Sequence, residues 1–257
     1  MILVTNDDGI YAPGIWHLKK ALNEVGQVEV VAPMAEKSAV GHAITLSDPL
    51  RVVEVEREGG FFGYGVNGTP ADCVKLGVHC LLNDKPRLVV SGINLGPNTA
   101  TNIIYSGTVS AAAEGTIIGI PSMAVSLTTF SRKEFSFAAK VAAYLAKKIL
   151  ENGLPEGTLL NVNVPPLPED EIDGLVLTRQ GKGRYEESFD KRVDPNHRTY
   201  YWLTGKRMVL DNGDDIDDLV VMQNKISVTP IHYDLTNYDF LEELKTWNLK
   251  LPDTKQS

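Results

Sequence analysis

Two carboxylates stand side by side at Asp7 and Asp8, directly after the apolar run Ile2-Leu3-Val4. Adjacent acids repel, and one of them titrates high unless positive charge lies between them. No basic residue sits beside the pair. Hard divalent cations such as Mg²⁺, Mn²⁺ or Ca²⁺ prefer oxygen ligands, so the pair has the chemistry of part of a cation site. Asn6-Asp7-Asp8-Gly9 is also a stretch that simply turns the chain. Three further polar stretches offer matching groups. Ser38 lies in the loop 35–42, and Asn94 and Asn98 lie in Ser91-Gly-Ile-Asn94-Leu-Gly96-Pro97-Asn98-Thr99, which is almost free of charge. Glycine lets a backbone approach a ligand closely, and asparagine supplies a neutral oxygen or amide. Ser106-Gly107-Thr108 then opens an Ala-rich helical stretch from Val109 to Ile118. Free backbone N–H groups and the helix dipole suit such a start to an anion, although capping the helix is the commoner use of Ser and Thr there.

Strands are expected just before these stretches. Ile2–Val4, Val28–Ala32 (stopped by Pro33) and Arg87–Val90 are short apolar runs of that kind. Between the first two, Ile15, Leu18, Leu22 and Val25 recur at helical spacing from Pro13, and Gly26 ends the helix. This β-α-β unit with a short loop begins a doubly wound parallel sheet. Its first turn has no Gly-x-Gly-x-x-Gly, which argues against dinucleotide binding. Strands are also expected at Leu50–Glu58, Phe61–Val66, Pro121–Leu127, Leu159–Val164, Gly174–Thr178 and Ile226–Ile231. Thr69-Pro70-Ala71-Asp72 reads as a helix start, with Thr69 the N-cap and Asp72 its acidic partner, and that helix runs to about Leu82. Capping accounts for Asp72 without catalysis. Phe135–Leu150 is an amphipathic helix stopped by Gly153. The expected fold is α/β, a Rossmann-like doubly wound, mostly parallel sheet with helices on both faces. In an open sheet of this kind ligands bind outside the carboxyl ends of the strands, which is where the polar loops fall.

The style changes beyond the core of about 1–175. Residues 179–206 are polar but carry Tyr185, Phe189, Tyr200, Tyr201 and Trp202. So long a polar stretch with exposed aromatics reads as an extended arm that packs on another subunit. In the C-terminal segment, about 207–257, Asp214-Asp215-Ile-Asp217-Asp218 loads a helix N-terminus with favourable charge, Tyr238–Trp247 is a short helix, and Leu251–Ser257 is a frayed tail. All 257 residues are read as one domain.

Bulk composition excludes several classes. Lys+Arg 25 against Asp+Glu 33 gives a net charge of −8, which argues against a nucleic-acid polymer or a membrane surface as main partner. A small anionic substrate is compatible, because a bound cation reverses the local field. No apolar run approaches a membrane span, and the N-terminus has no signal-peptide pattern, so a cytoplasmic location is expected. Cys73 and Cys80 match no metal or redox spacing and are read as core thiols sharing one helix face. The five histidines are dispersed and rule against a zinc hydrolase site.

On a parallel sheet, the loops with Asp7-Asp8, Ser38 and Asn94–Asn98 fall on one edge. Two carboxylates, a hydroxyl and an amide oxygen form a hard oxygen set with room for water, and Ser106-Gly107-Thr108 would hold an anion beside it. Metal plus anion cradle suggests hydrolysis of a phosphate monoester. The blocks Ile2-Leu-Val-Thr-Asn-Asp-Asp-Gly9, Ala32-Pro…Lys37-Ser38-Ala-Val-Gly41-His-Ala-Ile-Thr45, Gly65-Val-Asn-Gly-Thr-Pro-Ala-Asp-Cys-Val74, Ser91-Gly-Ile-Asn-Leu-Gly-Pro-Asn98 and Tyr105-Ser-Gly-Thr-Val-Ser-Ala-Ala-Ala-Glu114 together resemble the survival protein SurE family, as do Arg192-Val-Asp-Pro195 and Tyr200-Tyr-Trp-Leu203 in the arm. The resemblance implies a metal-dependent 5′-nucleotidase acting on nucleoside 5′-monophosphates, with short-chain polyphosphate as a further substrate. It implies that Asp7, Asp8, Ser38 and Asn94 bind one divalent cation, Mg²⁺ or Mn²⁺, and that Asn98, Ser106, Gly107 and Thr108 line the phosphate site. It also implies a homodimer or homotetramer in which a β-hairpin arm and a C-terminal element are exchanged. Asp7 or Asp8 would serve as general base toward water or attack phosphorus directly, and their adjacency, unlike an Asp-x-Asp spacing, favours water. The alternatives are a regulator that holds a metal–nucleotide without turning it over, and a glycosyltransferase-like enzyme that consumes sugar nucleotides.

Overall fold

The computed structural model describes residues 1–131 and 134–251, so most of the expected frayed tail lies outside the described residues. The chain opens with β1 (Ile2–Thr5), α1 (Pro13–Leu22) and β2 (Val28–Pro33), continues through the pair β3 (Val52–Arg57) and β4 (Gly60–Val66) to α2 (Pro70–Leu76), and enters β5 (Leu88–Leu95). It then forms α3 (Gly107–Ile117), β6 (Ser122–Leu127), α4 (Ser136–Asn152) and β7 (Thr158–Val164). Beyond these lie β8 (Leu175–Leu177), the long strands β9 (Arg184–Val193) and β10 (Thr199–Met208), then α5 (Asp217–Met222), β11 (Ile226–His232) and α6 (Tyr238–Lys245).

Nine strands form one sheet in the order β3-β4-β2-β1-β5-β6-β7-β11-β8. From β4 to β7 neighbouring strands run parallel, while β3 and β11 are antiparallel additions. The order reverses between β1 and β5, because the chain winds to β2 on one side and returns to β5 on the other. That switch point is where a crevice opens at the strand ends.

Strand alternation distributes the apolar residues to two cores. Ile2, Val4, Val30, Leu88 and Val90 face one core, closed by Ile15, Leu18 and Leu22 of α1 and by Ala138, Ala142 and Ala146 of α4. Leu3, Val31 and Val89 face the other, with Cys73 and Val74 of α2 and Ala111 of α3. Leaving water stabilises each fully buried branched side chain by about 1.5–3 kcal/mol, so the apolar β1, fully buried, anchors the turn that follows it.

The structure corrects several expectations. The α2 helix keeps its predicted capping box, with Thr69 Oγ1 accepting from the Asp72 N–H at 3.1 Å and Asp72 Oδ2 accepting from the Thr69 N–H at 2.9 Å. It ends at Leu76, however, and widens into a π turn over Gly77–Leu81, in which the Leu82 N–H bonds Gly77 O at 3.0 Å. A wider turn rotates less per residue, so Cys80 no longer shares the face of Cys73: Cys73 is buried and Cys80 is exposed. The first helix stops at Leu22 rather than Val25. Strand β5 runs on to Leu95, past the expected end at Val90, with a register shift against β6 between Ser91 and Asn94. Asn94 is therefore held on a strand rather than in the loop beyond it.

The arm is a hairpin. β9 and β10 pair antiparallel from Arg184–Met208 to Val193–Thr199, and every residue of both strands is exposed in the single chain. The α6 helix likewise buries none of its residues.

Candidate active site

The β1 turn places the two acids differently. Asp7 is buried, and its Oδ1 accepts the Thr108 hydroxyl at 2.5 Å. The α3 helix comes so close that a Cβ on Gly107 would lie 2.8 Å from the Asp7 Cβ, so only glycine fits there. Asp7 thus sits over the α3 N-terminus, a favourable place for negative charge. Burial still drives its carboxyl above the usual range, against the bonds from Thr108. Asp8 accepts the Leu95 N–H at 3.2 Å through Oδ2. Burial, then the Asp7 charge, push Asp8 up to about 7.

Four other predicted site residues converge on the same crevice. A cleft of about 190 Å³ is lined by Asp7, Ser38, Asn94, Asn98 and Ser106, with Tyr105 and Phe130 also on its walls. Asn94 donates its amide to Gly96 O at 2.8 Å, which turns its carbonyl oxygen the other way. The Ser38 hydroxyl donates to Glu36 Oε1 at 2.6 Å, and the Lys37 N–H ties this loop to Asp7 O at 2.7 Å. Glu36, a third acid whose charge reaches both Asp7 and Asp8, was missed in the sequence reading because it sits in a loop that only the β2 crossover brings near β1.

Ser106 is the N-cap of α3, its Oγ accepting the Val109 N–H at 3.0 Å. Gly107 and Thr108 are buried behind it against Asp7, so they back the cleft rather than line it. Asn98 is almost fully buried and held on all sides. Its N–H donates to Asn163 Oδ1 at 2.9 Å, its carbonyl accepts from Asn161 and Asn163 at 2.7 and 3.0 Å, and its side-chain amide donates to Ser126 Oγ at 2.8 Å. Asn161 and Asn163 also escaped the sequence reading. Their signal was available: two asparagines two apart on an otherwise apolar strand put both amides on one face.

Among the described residues no group of three or more His, Cys, Asp or Glu is arranged to hold a metal ion. What the crevice offers is the Asp7 carboxylate with a hydroxyl and an amide oxygen, while Asp8, on the same turn, is not among its lining residues. Asp72 stays at the α2 cap, where burial would raise its carboxyl but bonds from Thr45 and Thr69 hold it below the usual value. Asp217 does more than load a helix N-terminus. It is fully buried at the start of α5, accepting the Ala100 and Gly181 N–H groups, each at 2.9 Å.

A doubly wound α/β protein with acids at its switch point and a capped helix start beside them is the class that this geometry defines. The sequence model of the family described as Survival protein SurE matches residues 2–187. A 5′-nucleotidase SurE of Syntrophobacter fumaroxidans is 52% identical over 248 residues, covering 96% of this chain and 99% of that protein. One from Moorella thermoacetica is 53% identical over 248 residues, covering 96% and 95%. The crystal structure of the SurE protein from Aquifex aeolicus superposes with a TM-score of 0.85 at 44% identity, covering 96% of this chain and 99% of that one. The chain belongs to the survival protein SurE family.

Proposed function

We propose that this chain is a 5′-nucleotidase, a divalent-metal-dependent phosphatase that hydrolyses nucleoside 5′-monophosphates to nucleoside and phosphate, with short-chain polyphosphate as a further substrate. The name 5′-nucleotidase carried by relatives about half identical over nearly the whole chain supports the activity. The observation that carries the reading is the convergence of Asp7, Ser38, Asn94, Asn98 and Ser106 on one cleft, with Asp8 on the same turn.

The residues fit one Mg²⁺ or Mn²⁺ per subunit. Asp7 and Asp8 each commit one carboxylate oxygen to a hydrogen bond that fixes the side chain, which leaves the other oxygen for a cation. The Asn94 carbonyl and the Ser38 oxygen complete a hard donor set, since the amide nitrogen of one and the proton of the other are held elsewhere. A site that raises both carboxyls when empty of positive charge is one that positive charge stabilises. Such a cation supplies Lewis-acid polarisation of a phosphoryl oxygen and neutralises developing charge.

The chain's own groups do the rest. Asn98 and Ser106 present an amide and a hydroxyl to the anion, and the α3 dipole favours negative charge at their side of the cleft. Asp7 or Asp8 takes the proton from the attacking water, and neither is paired with a base that would compete. Tyr105 and Phe130, exposed at 62% and 75%, offer flat apolar faces at the cleft mouth for a nucleoside. The exposed hairpin and α6 support exchange of these elements in a homodimer or homotetramer, because an isolated two-stranded hairpin is marginal in water. Among the described residues no helix is long and apolar enough to cross a membrane. Two unpaired thiols accord with a reducing cytoplasm.

The test is phosphate release from AMP with Mg²⁺ or Mn²⁺, then with EDTA added. Release that EDTA abolishes is expected. Tight nucleotide binding without release would favour the non-catalytic regulator instead, and consumption of a sugar nucleotide without free phosphate would favour the glycosyltransferase.

A further inference from the structure

Asn98 lines the cleft, Thr99 and Ala100 continue the chain behind it toward Asn102 and Ser106 of the same lining, and each of residues 98–100 is held by a side chain from far along the chain. The Asn98 backbone is bonded on both sides by Asn161 and Asn163 of β7. The Thr99 hydroxyl accepts from Arg207 Nη2 at 3.2 Å, and the same guanidinium nitrogen pairs with Asp218 at 2.9 Å. The Ala100 N–H is bound by Asp217 and its carbonyl by Gln180 Nε2, both at 2.9 Å. Thr101 is tied to Gly183 O through its N–H and its hydroxyl, at 3.3 and 2.8 Å. Ala100 holds a left-handed conformation, φ 51°, which a residue with a Cβ adopts only when its surroundings impose it.

A carboxylate in the interior is costly, and it survives where several donors repay it. Asp217 has three: the N–H groups of Ala100, Gly181 and Asp218. Capping a helix would not need this arrangement, since α5 spans only Asp217–Met222 and two of the three donors lie outside it. What the carboxylate joins is the segment behind Asn98, at Ala100, to the root of the arm, at Gly181.

We propose that Asp217 and Asn163 are positioning residues for the phosphate side of the cleft: by fixing the backbone at Ala100 and Asn98 they set where the Asn98 amide and the Ser106 hydroxyl meet the phosphoryl group. This rests on reading the cleft as a phosphatase site. Neither residue contacts the cation donors, so their loss acts on the anion and leaves the cation alone. A displacement of about 1 Å in a binding wall costs up to about a hundredfold.

The experiment uses the full-length protein loaded with Mn²⁺, with Asp217→Asn, Asn163→Ala and Gln180→Ala as variants. Calorimetry measures binding of inorganic phosphate and, separately, of Mn²⁺. Asp217→Asn and Asn163→Ala are expected to weaken phosphate binding at least tenfold and to raise KM for AMP in parallel, with Mn²⁺ affinity within twofold of the parent. Gln180 is exposed and its side chain bonds the Ala100 carbonyl, so Gln180→Ala folds and weakens phosphate about threefold, which tests the inference even if a buried variant does not fold. Unchanged phosphate affinity in the folded variants overturns it, and so does an equal loss of Mn²⁺ and phosphate binding, which marks a merely structural role. If the parent binds phosphate but releases none from AMP, the phosphatase reading fails while the phosphate affinities still decide the positioning role.

Discussion

The two walls of the cleft are built in opposite ways. The acidic wall draws its carboxylates from one short stretch: Asp7 and Asp8 follow a buried strand within a few residues, although their fixing partners, Leu95 and Thr108, come from 87 and 101 positions further along the chain. The neutral wall at Asn98 is held through the segment Asn98–Ala100, whose backbone and side chains are bonded by Asn161, Asn163, Gln180, Arg207 and Asp217, all from the second half of the chain. The donors of a site are thus chosen by residue type at a strand end, whereas the shape of the wall opposite is distributed over the molecule.

The sharpest way to break this contrast is at Asp8. Asp8→Asn is expected to lower phosphate release more than a hundredfold while the melting temperature of the metal-free protein holds or rises, because a like-charge neighbour of Asp7 has been removed. Activity near that of the parent would remove Asp8 from the acidic wall. A second prediction concerns the arm, whose strand β10 carries Arg207. Deleting the hairpin tip, Asp194–Arg198, is expected to lower the oligomer mass seen by light scattering, because the exposed aromatics of β9 and β10 lose the turn that aligns them. An unchanged mass would count against exchange of the arm.

The smallest effect lies outside both walls. Glu114 of α3 is buried against His42 and Lys75, at 2.9 and 2.6 Å. Burial alone would raise its carboxyl, but those two partners hold it below its ordinary value of 4.5. A depressed folded value stabilises the protein above pH 4.5 and is lost as pH falls through the folded value. Glu114→Gln is therefore expected to cost about 1–2 kcal/mol at pH 7, discounted because Lys75 is partly exposed, with the gap closing in acid. Denaturant titrations at pH 7 and pH 3.5 measure it, and a gap that does not change with pH would assign the cost to packing.

How far each wall was legible in the sequence follows from the same contrast. Ile2–Val4 with Asp7 and Asp8, the Thr69–Asp72 cap and the Ser106 helix start each combine a residue type with a local spacing, and they fold as that spacing predicts. Asn94 reads as a loop residue because the apolar run ends at Val90, yet the strand continues to Leu95 through a register shift. The reading of Cys80 as a core thiol failed at the π turn, which no local spacing announces. Asp217 was given to a helix start because its other partners, Ala100 and Gly181, are distant and contribute only backbone, whose positions exist once the sheet is assembled.

The bond from Asp217 to Ala100 spans 117 residues. At a synthesis rate of about 5–20 residues per second, the chain that carries Ala100 waits on the order of 10 s on the ribosome for the carboxylate that sets its conformation. The acids, the serine and the asparagine of the other wall have all emerged by then. During synthesis this protein passes through an interval in which it owns its whole acidic wall but not the wall opposite. The synthesis of α5, which carries Asp217, closes that interval.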